Sequence, residues 1–306
     1  MLSGEKILIT GPAGRIARPV AVELAKHNEV WGIARFSDPE ARAELEAAGV
    51  KTRTVDLLSC DFRDLPENFT YLVHIAANFD SGSYDRAIQI NAESAGLLLQ
   101  HCRKAKAALV MSTLSVYKPH PDPWHAFEEG DPLGDIMFRS PPSYSISKIS
   151  EEAVARFCAR AFNLPVTIAR MGSAYGETGG LPVSHLRALV EERTIETRWD
   201  PQPYSPIHVD DIVDQVEAML GAASVPATIV NWCGDEPVSV QQWIPYMAGM
   251  LGLTPKVTIQ PVPGASLGSV GDVTRRRAIT GPCKVKWQDG FRRTVEGLYP
   301  DLVKAR

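Results

Sequence analysis

The chain has 306 residues, 44% hydrophobic and 22% charged, with 32 Lys and Arg against 36 Asp and Glu for a formal charge of −4. That balance excludes an intrinsically disordered chain and gives no electrostatic ground for a nucleic-acid or acidic-membrane partner. No run approaches the ~20 apolar residues of a membrane span, and the opening MLSGEKILIT lacks a signal-peptide pattern, so the expectation is a cytoplasmic protein.

Five scattered cysteines (Cys60, Cys102, Cys158, Cys233, Cys283) form no CxxC pair, which argues against a disulfide framework or a metal centre. His120 and His125 flank a proline-rich PDPW and read as a solvated loop. Short apolar runs predict strands at 6–10, 29–34, 52–55, 71–75 and 108–111, and helical patterns fall between most of them at 15–27, 39–48 and 86–103. Continuous apolar strands alternating with amphipathic helices predict an α/β fold with a doubly wound parallel sheet. Asp38-Pro39-Glu40 is sound chemistry for starting the second helix. A polar stretch, 118–142, follows the fifth strand and reads as a lid or specificity loop carrying Trp124, Phe127, Phe138 and Arg139. A helix is expected over 144–162 with Ile146, Ile149, Ala153 and Phe157 on one face, then a strand at 165–170. Beyond it the pattern is irregular, with helices near 182–192, 209–220 and 240–251 and short strands near 207, 228–231 and 256–259. The expected division is a dinucleotide-type domain over 1–171 and a smaller carboxyl-terminal substrate lobe over 172–306, some of whose segments return to the first domain.

Three segments carry chemistry. In ILITGPAGRIA a strand runs into Gly11 and Gly14 and a helix follows at once. Glycine permits the tight turn and the close approach of backbone N–H groups to a pyrophosphate at the helix end, and Ala17 is the third small position. In SYSISK, Tyr144 and Lys148 stand four residues apart and share a helix face. LVMSTLSVY presents the hydroxyls of Ser112, Thr113 and Ser115 at the carboxyl end of a parallel strand, where open α/β sheets place ligands. Hydride transfer at a carbinol carbon needs a proton moved on its oxygen. A tyrosine with an ordinary pKa of about 10 needs roughly 4 kcal/mol to work near neutrality. A lysine charge ~5 Å away at an effective dielectric of ~20 is expected to contribute about 3 kcal/mol of that.

Together with YLVHIAAN, RMGSAYG, SPIHVDDIV and DVTRRRAITG, these segments resemble, in order over almost the whole chain, the extended short-chain dehydrogenase/reductase superfamily, and more narrowly its NAD(P)-dependent epimerase/dehydratase branch. The resemblance implies a Rossmann sheet and a dinucleotide cofactor. It assigns Gly11, Gly14, Arg15, Ile16 and Ala17 to the cofactor, Asp56 and Leu57 beside the adenine, and Ala76 and Ala77 along the dinucleotide. It makes Thr113 the catalytic hydroxyl, with Ser112 as second choice, Tyr144 the acid/base, and Lys148 the holder of the nicotinamide ribose. Asn78, Thr113, Ser173, Phe138 and Arg139 are candidates for contact with a small-molecule substrate. Helices 86–103 and 144–162 resemble the pair through which the superfamily dimerises, so a homodimer is expected. Asn91 and Gly96 read as supports for the loop and helix packing, and His74 as a satisfied core histidine.

Departures from the family pattern narrow the reaction. Sugar-nucleotide 4,6-dehydratases carry an Asp-Glu pair after the catalytic threonine. Leu114 and Ser115 stand there, which excludes that elimination. Nucleotide-sugar epimerases usually have an asparagine at Ser173 and an arginine shortly before the HVDD segment. Here the chain reads YSPIHVDD, and Lys118 replaces a common glycine. Where NAD enzymes commonly carry an acid, WGIARF has Ala34 and Arg35, and a guanidinium there suits the 2′-phosphate of NADP. The leading expectation is therefore an NADP-dependent oxidoreductase interconverting an alcohol and a ketone on a small polar substrate, with NAD as the other cofactor. The alternatives are a sugar or nucleotide-sugar epimerase acting by transient oxidation, and a non-catalytic dinucleotide-binding regulator.

Overall fold

The structure, a computed structural model, describes residues 2–79, 82–134 and 143–304. The first half alternates strand and helix: β1 (Lys6–Thr10), α1 (Ala17–Ala25), β2 (Glu29–Ala34), α2 (Pro39–Ala47), β3 (Lys51–Thr54), β4 (Tyr71–His74), α3 (Tyr84–Ile88), a π-helical turn (Gln89–Glu93), α4 (Ser94–His101) and β5 (Ala107–Thr113). All seven residues of β5 are buried, as expected of a strand covered on both faces. The second half comprises β6 (Ala126–Phe127), α5 (Ser143–Phe162), β7 (Val166–Met171), β8 (Ala174–Tyr175), α6 (Leu181–Val190), β9 (Ile195–Thr197), β10 (Pro203–Tyr204), β11 (Ile207–His208) and α7 (Val209–Gly221). It ends with β12 (Thr228–Trp232), β13 (Val238–Ser239), α8 (Val240–Leu251), β14 (Val257–Ile259), β15 (Val270–Gly271), α9 (Thr274–Thr280), α10 (Trp287–Leu298) and α11 (Pro300–Lys304).

Seven strands form one sheet in the order β12-β7-β5-β4-β1-β2-β3, with β1 parallel to both β2 and β4, β2 to β3 and β4 to β5. The chain runs outward from β1 on one side and then returns to build the other side from β4. The carboxyl ends of β1 and β4 thus flank the switch point where doubly wound sheets bind ligands. The core of this layer gathers Leu8, Ile33, Leu72, Leu98, Val110 and Ile168 among others.

The chain divides into two compact units. The first holds Met1–Val116, Ser140–Arg170 and Ile212–Val230, and the second Tyr117–Arg139, Met171–Asp211 and Asn231–Arg306. The first contains the sheet. The second packs α6, α8 and α10 around a core with Leu186, Trp243, Met247 and Phe291. Residues 118–134, read from sequence as an irregular loop, carry β6, which pairs in parallel with β15. Within it Phe127 is buried and stacks on Tyr117 at 4.8 Å, because Asn231 ties its carbonyl down at 2.7 Å. Among the described residues no helix is long and apolar enough to cross a membrane.

The face of α5 that carries Ile146, Ile149, Ala153 and Phe157 is not its buried one. Ala153 and Phe157 are exposed, Phe157 to 68%, and Ile146 and Ile149 are half-buried. The buried side carries Ser145, Ser147, Lys148, Glu151, Glu152, Ala155, Cys158 and Ala159. Its first two turns turn polar groups inward because those groups find partners there, and paired polar groups lose little on burial.

Candidate active site

The turn after β1 is built for close approach. Gly11 has φ of 64°, in the left-handed region, and a Cβ there would stand 3.1 Å from Ala76 Cβ. Gly14 N–H donates to the Gly11 carbonyl at 2.8 Å, and a Cβ on Gly14 would press on that oxygen at 3.1 Å. The first turn of α1 has no side-chain cap and no acidic residue. The positive dipole end of α1 is therefore left uncompensated beside the glycine turn, a fit for a dinucleotide pyrophosphate. Arg15 is exposed beside Gly14, Ile16 is half-buried at the N-cap, and Ala17 is buried. Across from the turn, Ala76 N–H and Ile75 N–H both donate to Thr10 Oγ1 at 3.0 Å. Ala77 and Asn78 follow, half-buried.

Asn91 holds this segment in place. Wholly buried in the π-helical turn, it accepts from Asn78 N–H at 2.8 Å and donates to the Asn78 carbonyl at 3.0 Å and to Ser147 Oγ at 2.9 Å. A π-turn shifts the helical register. Gly96 lets α4 approach α5, since a Cβ there would meet Val154 at 2.8 Å.

At the end of β5, the hydroxyl of Thr113 lies within hydrogen-bonding reach of the Tyr144 phenol and accepts from Ser115 N–H at 3.1 Å. Ser112 turns the other way and donates to Glu152 at 2.6 Å, which leaves Thr113 as the hydroxyl beside the tyrosine. Phe79 stacks on Tyr144 at 4.6 Å. Lys148, 1% exposed, donates to the Met111 carbonyl at 2.8 Å and pairs with Glu151. Sequence reasoning expected the lysine to draw the phenol toward neutrality. In the structure the phenol is held well above its usual range, first by burial and then by the charge of Glu151, while Thr113 and Arg15 pull it down.

The remaining candidates separate. Arg35 is exposed at the end of β2, and Asp38 is committed to α2, accepting from Glu40 N–H at 3.0 Å and Ala41 N–H at 3.1 Å. Asp56 is exposed after β3 and accepts from Leu58 N–H at 2.9 Å, and Leu57 packs against the sheet core. Ser173 belongs to the second unit, where its carbonyl accepts from Ile207 N–H at 3.0 Å. Phe138 and Arg139 lie outside the described residues. Trp124 is 41% exposed.

A model of the NAD dependent epimerase/dehydratase family matches residues 7–232. The chain belongs to that family. Among characterised folds, the Bacillus cereus UDP-glucuronic acid 4-epimerase solved with UDP-glucuronic acid and NAD superposes with a TM-score of 0.84 at 21% identity, over 96% of this chain and 99% of that one. The Thermotoga maritima UDP-glucose 4-epimerase solved with UDP-glucose gives 0.83 at 20% identity, over 97% and 99%. At such identities the likeness speaks for the fold. A Bacillus subtilis protein described as an uncharacterized UDP-glucose epimerase is 25% identical over 272 residues, 81% of this chain and 82% of its own length.

Four residues that shape this family member's site were not singled out from the sequence: Thr10, Glu151, Glu152 and Arg170. Arg170 meets both oxygens of Glu152, at 2.8 and 2.9 Å. The available signal was two adjacent carboxylates three and four residues after Lys148, on the lysine's own side of the helix.

Proposed function

We propose that this protein is a cytoplasmic epimerase that inverts a hydroxyl-bearing carbon of a sugar, nucleotide-linked in the first instance, by transient oxidation. The observation that carries the reading is the placing of Thr113 and Tyr144 together at the carboxyl end of β5, with the buried Lys148 one turn behind. The bound dinucleotide would supply a hydride acceptor and donor. Gly11, Gly14 and the uncapped start of α1 would hold its pyrophosphate, Ala76 and Ala77 its flank, Asp56 and Leu57 its adenine end, and Lys148 its ribose. Tyr144 then takes the proton from the reacting hydroxyl and returns it. Thr113 holds that oxygen in line, and the stacked Phe79 keeps water from the phenol. Family membership and the epimerase neighbours favour epimerisation over the net reductase expected from the sequence.

Net reduction of a smaller polar substrate is retained as a second reading because of one position. Tyr204, Ser205 and Pro206 stand where the resembled nucleotide-sugar enzymes carry an arginine, and Ser205 is wholly buried, its hydroxyl accepting from Gly271 N–H at 3.3 Å. It offers a diphosphate nothing. Incubation with dinucleotide and a panel of UDP-sugars and free sugars separates the readings. An epimerase yields a new stereoisomer with no net change in cofactor absorbance. Net oxidation or reduction supports the second reading, and neither outcome with any sugar removes both.

For the cofactor we propose that Arg35 favours NADP: charge-assisted bonds of about 1.5–3 kcal/mol each give roughly tenfold or greater preference over NAD. Equal binding of the two in titration overturns it. For assembly we propose a homodimer through α4 and α5, whose outward sides leave Leu97 46% and Phe157 68% exposed. A monomeric mass by light scattering overturns that.

A further inference from the structure

Lys148 has a companion that the proposed reaction does not by itself require. Glu151, one turn along α5 and wholly buried, sets one carboxylate oxygen against the lysine ammonium. Its other oxygen lies 3.2 Å from His74 Nε2, at the end of β4. Among the described residues neither oxygen has another donor.

Hydrogen-bond counting gives the histidine's form. Thr10 Oγ1 accepts the amide protons of Ile75 and Ala76, which occupies both its lone pairs. Its own proton goes to His74 Nδ1, 2.8 Å away. Nδ1 is therefore an acceptor and the ring proton sits on Nε2, 3.2 Å from Glu151 but not aligned into a hydrogen bond with it. The Lys148 ammonium thus lies against one oxygen of Glu151 and the His74 ring against the other. Glu152, the next residue, makes a separate closed set with Arg170 and Ser112.

The groups around Tyr144 come from every side of it. Thr113 approaches from β5, Arg15 from the turn after β1, and the Phe79 ring from the segment after β4. Lys148 and Glu151 come from its own helix. Of the charged groups, Arg15 favours a phenolate and Glu151 opposes it, and Lys148 stands four residues after Tyr144 on the same helix, paired with Glu151.

We propose that Glu151 is a positioning residue for the Tyr144–Lys148 pair: buried against the His74 ring, its carboxylate pins the lysine and cancels that charge toward the phenol, so the phenol of the free enzyme stays protonated. This rests on the role proposed above for Tyr144, but its test needs neither substrate nor cofactor.

Tyrosinate absorbance is titrated in each protein, and the titration of its Tyr144→Phe counterpart is subtracted, leaving the Tyr144 step alone. Glu151→Gln, or Glu151→Met as a second neutral variant, is expected to bring that step down by about one pH unit or more, a tenfold change in proton affinity. Removing both charges in Lys148→Met/Glu151→Met returns the step to the wild-type position, as a double-mutant cycle requires if the two charges cancel. A folded neutral variant that titrates with wild type overturns the proposal, as does a double variant displaced tenfold in either direction. The two readings fail separately. Full turnover by Tyr144→Phe removes the catalytic role and leaves the charge coupling measurable, whereas lost turnover with an unmoved Glu151→Gln titration removes only the coupling.

Discussion

In the sheet unit, Lys148, Glu151, Glu152 and Arg170 are all nearly or wholly buried and form two separate side-chain pairs, Lys148 with Glu151 and Arg170 with Glu152, beside the helix start that carries the half-buried Tyr144. In the second unit, Arg276 is just as buried but is spent on Asp235 and the Gly281 carbonyl, and Asp235 in turn accepts Cys283 N–H at 2.9 Å. Asn231 likewise accepts the Tyr117 hydroxyl at 2.6 Å and donates to the Phe127 carbonyl. The second set closes on backbone and ties irregular segments together. The first set closes mainly on side chains. Buried charge ties backbone segments together in one unit and pairs side chain with side chain in the other.

The largest effect that sharpens this contrast is on stability. Arg170→Met strands the Glu152 carboxylate, whose side chain is 4% exposed. Breaking one side of a buried pair costs about 3–5 kcal/mol. Arg276→Met strands Asp235, but that side chain is 17% exposed and water can reach it, so a smaller loss is expected. Urea midpoints of the two variants check the order, and equal losses would erase the distinction.

A pH effect of about 3 kcal/mol at most is expected from the second unit. His185 Nδ1 accepts the Trp243 indole N–H at 3.0 Å. A second ring proton would point at that donor, and burial lowers the His185 pKa to about 4. The folded value lies below the unfolded one of about 6.5, so on acidification the unfolded chain takes up the proton first. Stability is full above about pH 6.5 and is lost as pH falls toward about 4. His185→Asn keeps an acceptor for Trp243 and should flatten this part of the pH profile of the unfolding midpoint. An unchanged slope would count against His185 as its source.

Two tyrosines break the comparison most directly. Tyr144→Phe is expected to cut turnover about 10²-fold, the ordinary loss of acid/base help, without moving the unfolding midpoint. Tyr117→Phe removes the bond to Asn231 and should cost about 1 kcal/mol of stability with turnover kept. Steady-state rates and melting curves on both variants decide whether the roles are assigned to the right residues.

The same contrast explains what the sequence disclosed. Strands β1 and β2 were legible to the residue, because continuous apolar runs flanked by glycine and helix caps leave few alternatives. The glycine turn, Thr113, Tyr144 and Lys148 were legible as local patterns. The buried side of α5 was not. Periodicity equates burial with apolar character, and Glu151 and Glu152 are buried only because His74 and Arg170 arrive from β4 and β7. The π-turn around Asn91 and the pairing of β6 with β15 depend on partners equally remote in the chain.

The smallest effect concerns the two helix starts of the sheet unit. α1 begins without a side-chain cap, and α2 begins with Asp38 accepting two backbone N–H groups. An N-cap carboxylate replaced by alanine costs about 1 kcal/mol. Asp38→Ala should therefore lower the unfolding midpoint slightly and leave the affinity for NAD and NADP unchanged, since the carboxylate is turned to its own helix. The uncapped α1 is the opposite case: its positive dipole end, with no acidic residue in the first turn, is expected to gain an anionic partner when dinucleotide binds. Added dinucleotide should then raise the midpoint of wild type and of Asp38→Ala by the same amount. A several-fold weakening of NAD binding in Asp38→Ala would mean instead that Asp38 reaches the adenosine ribose. The end of β2 would then favour NAD, and the case for NADP built on Arg35 would fall with it.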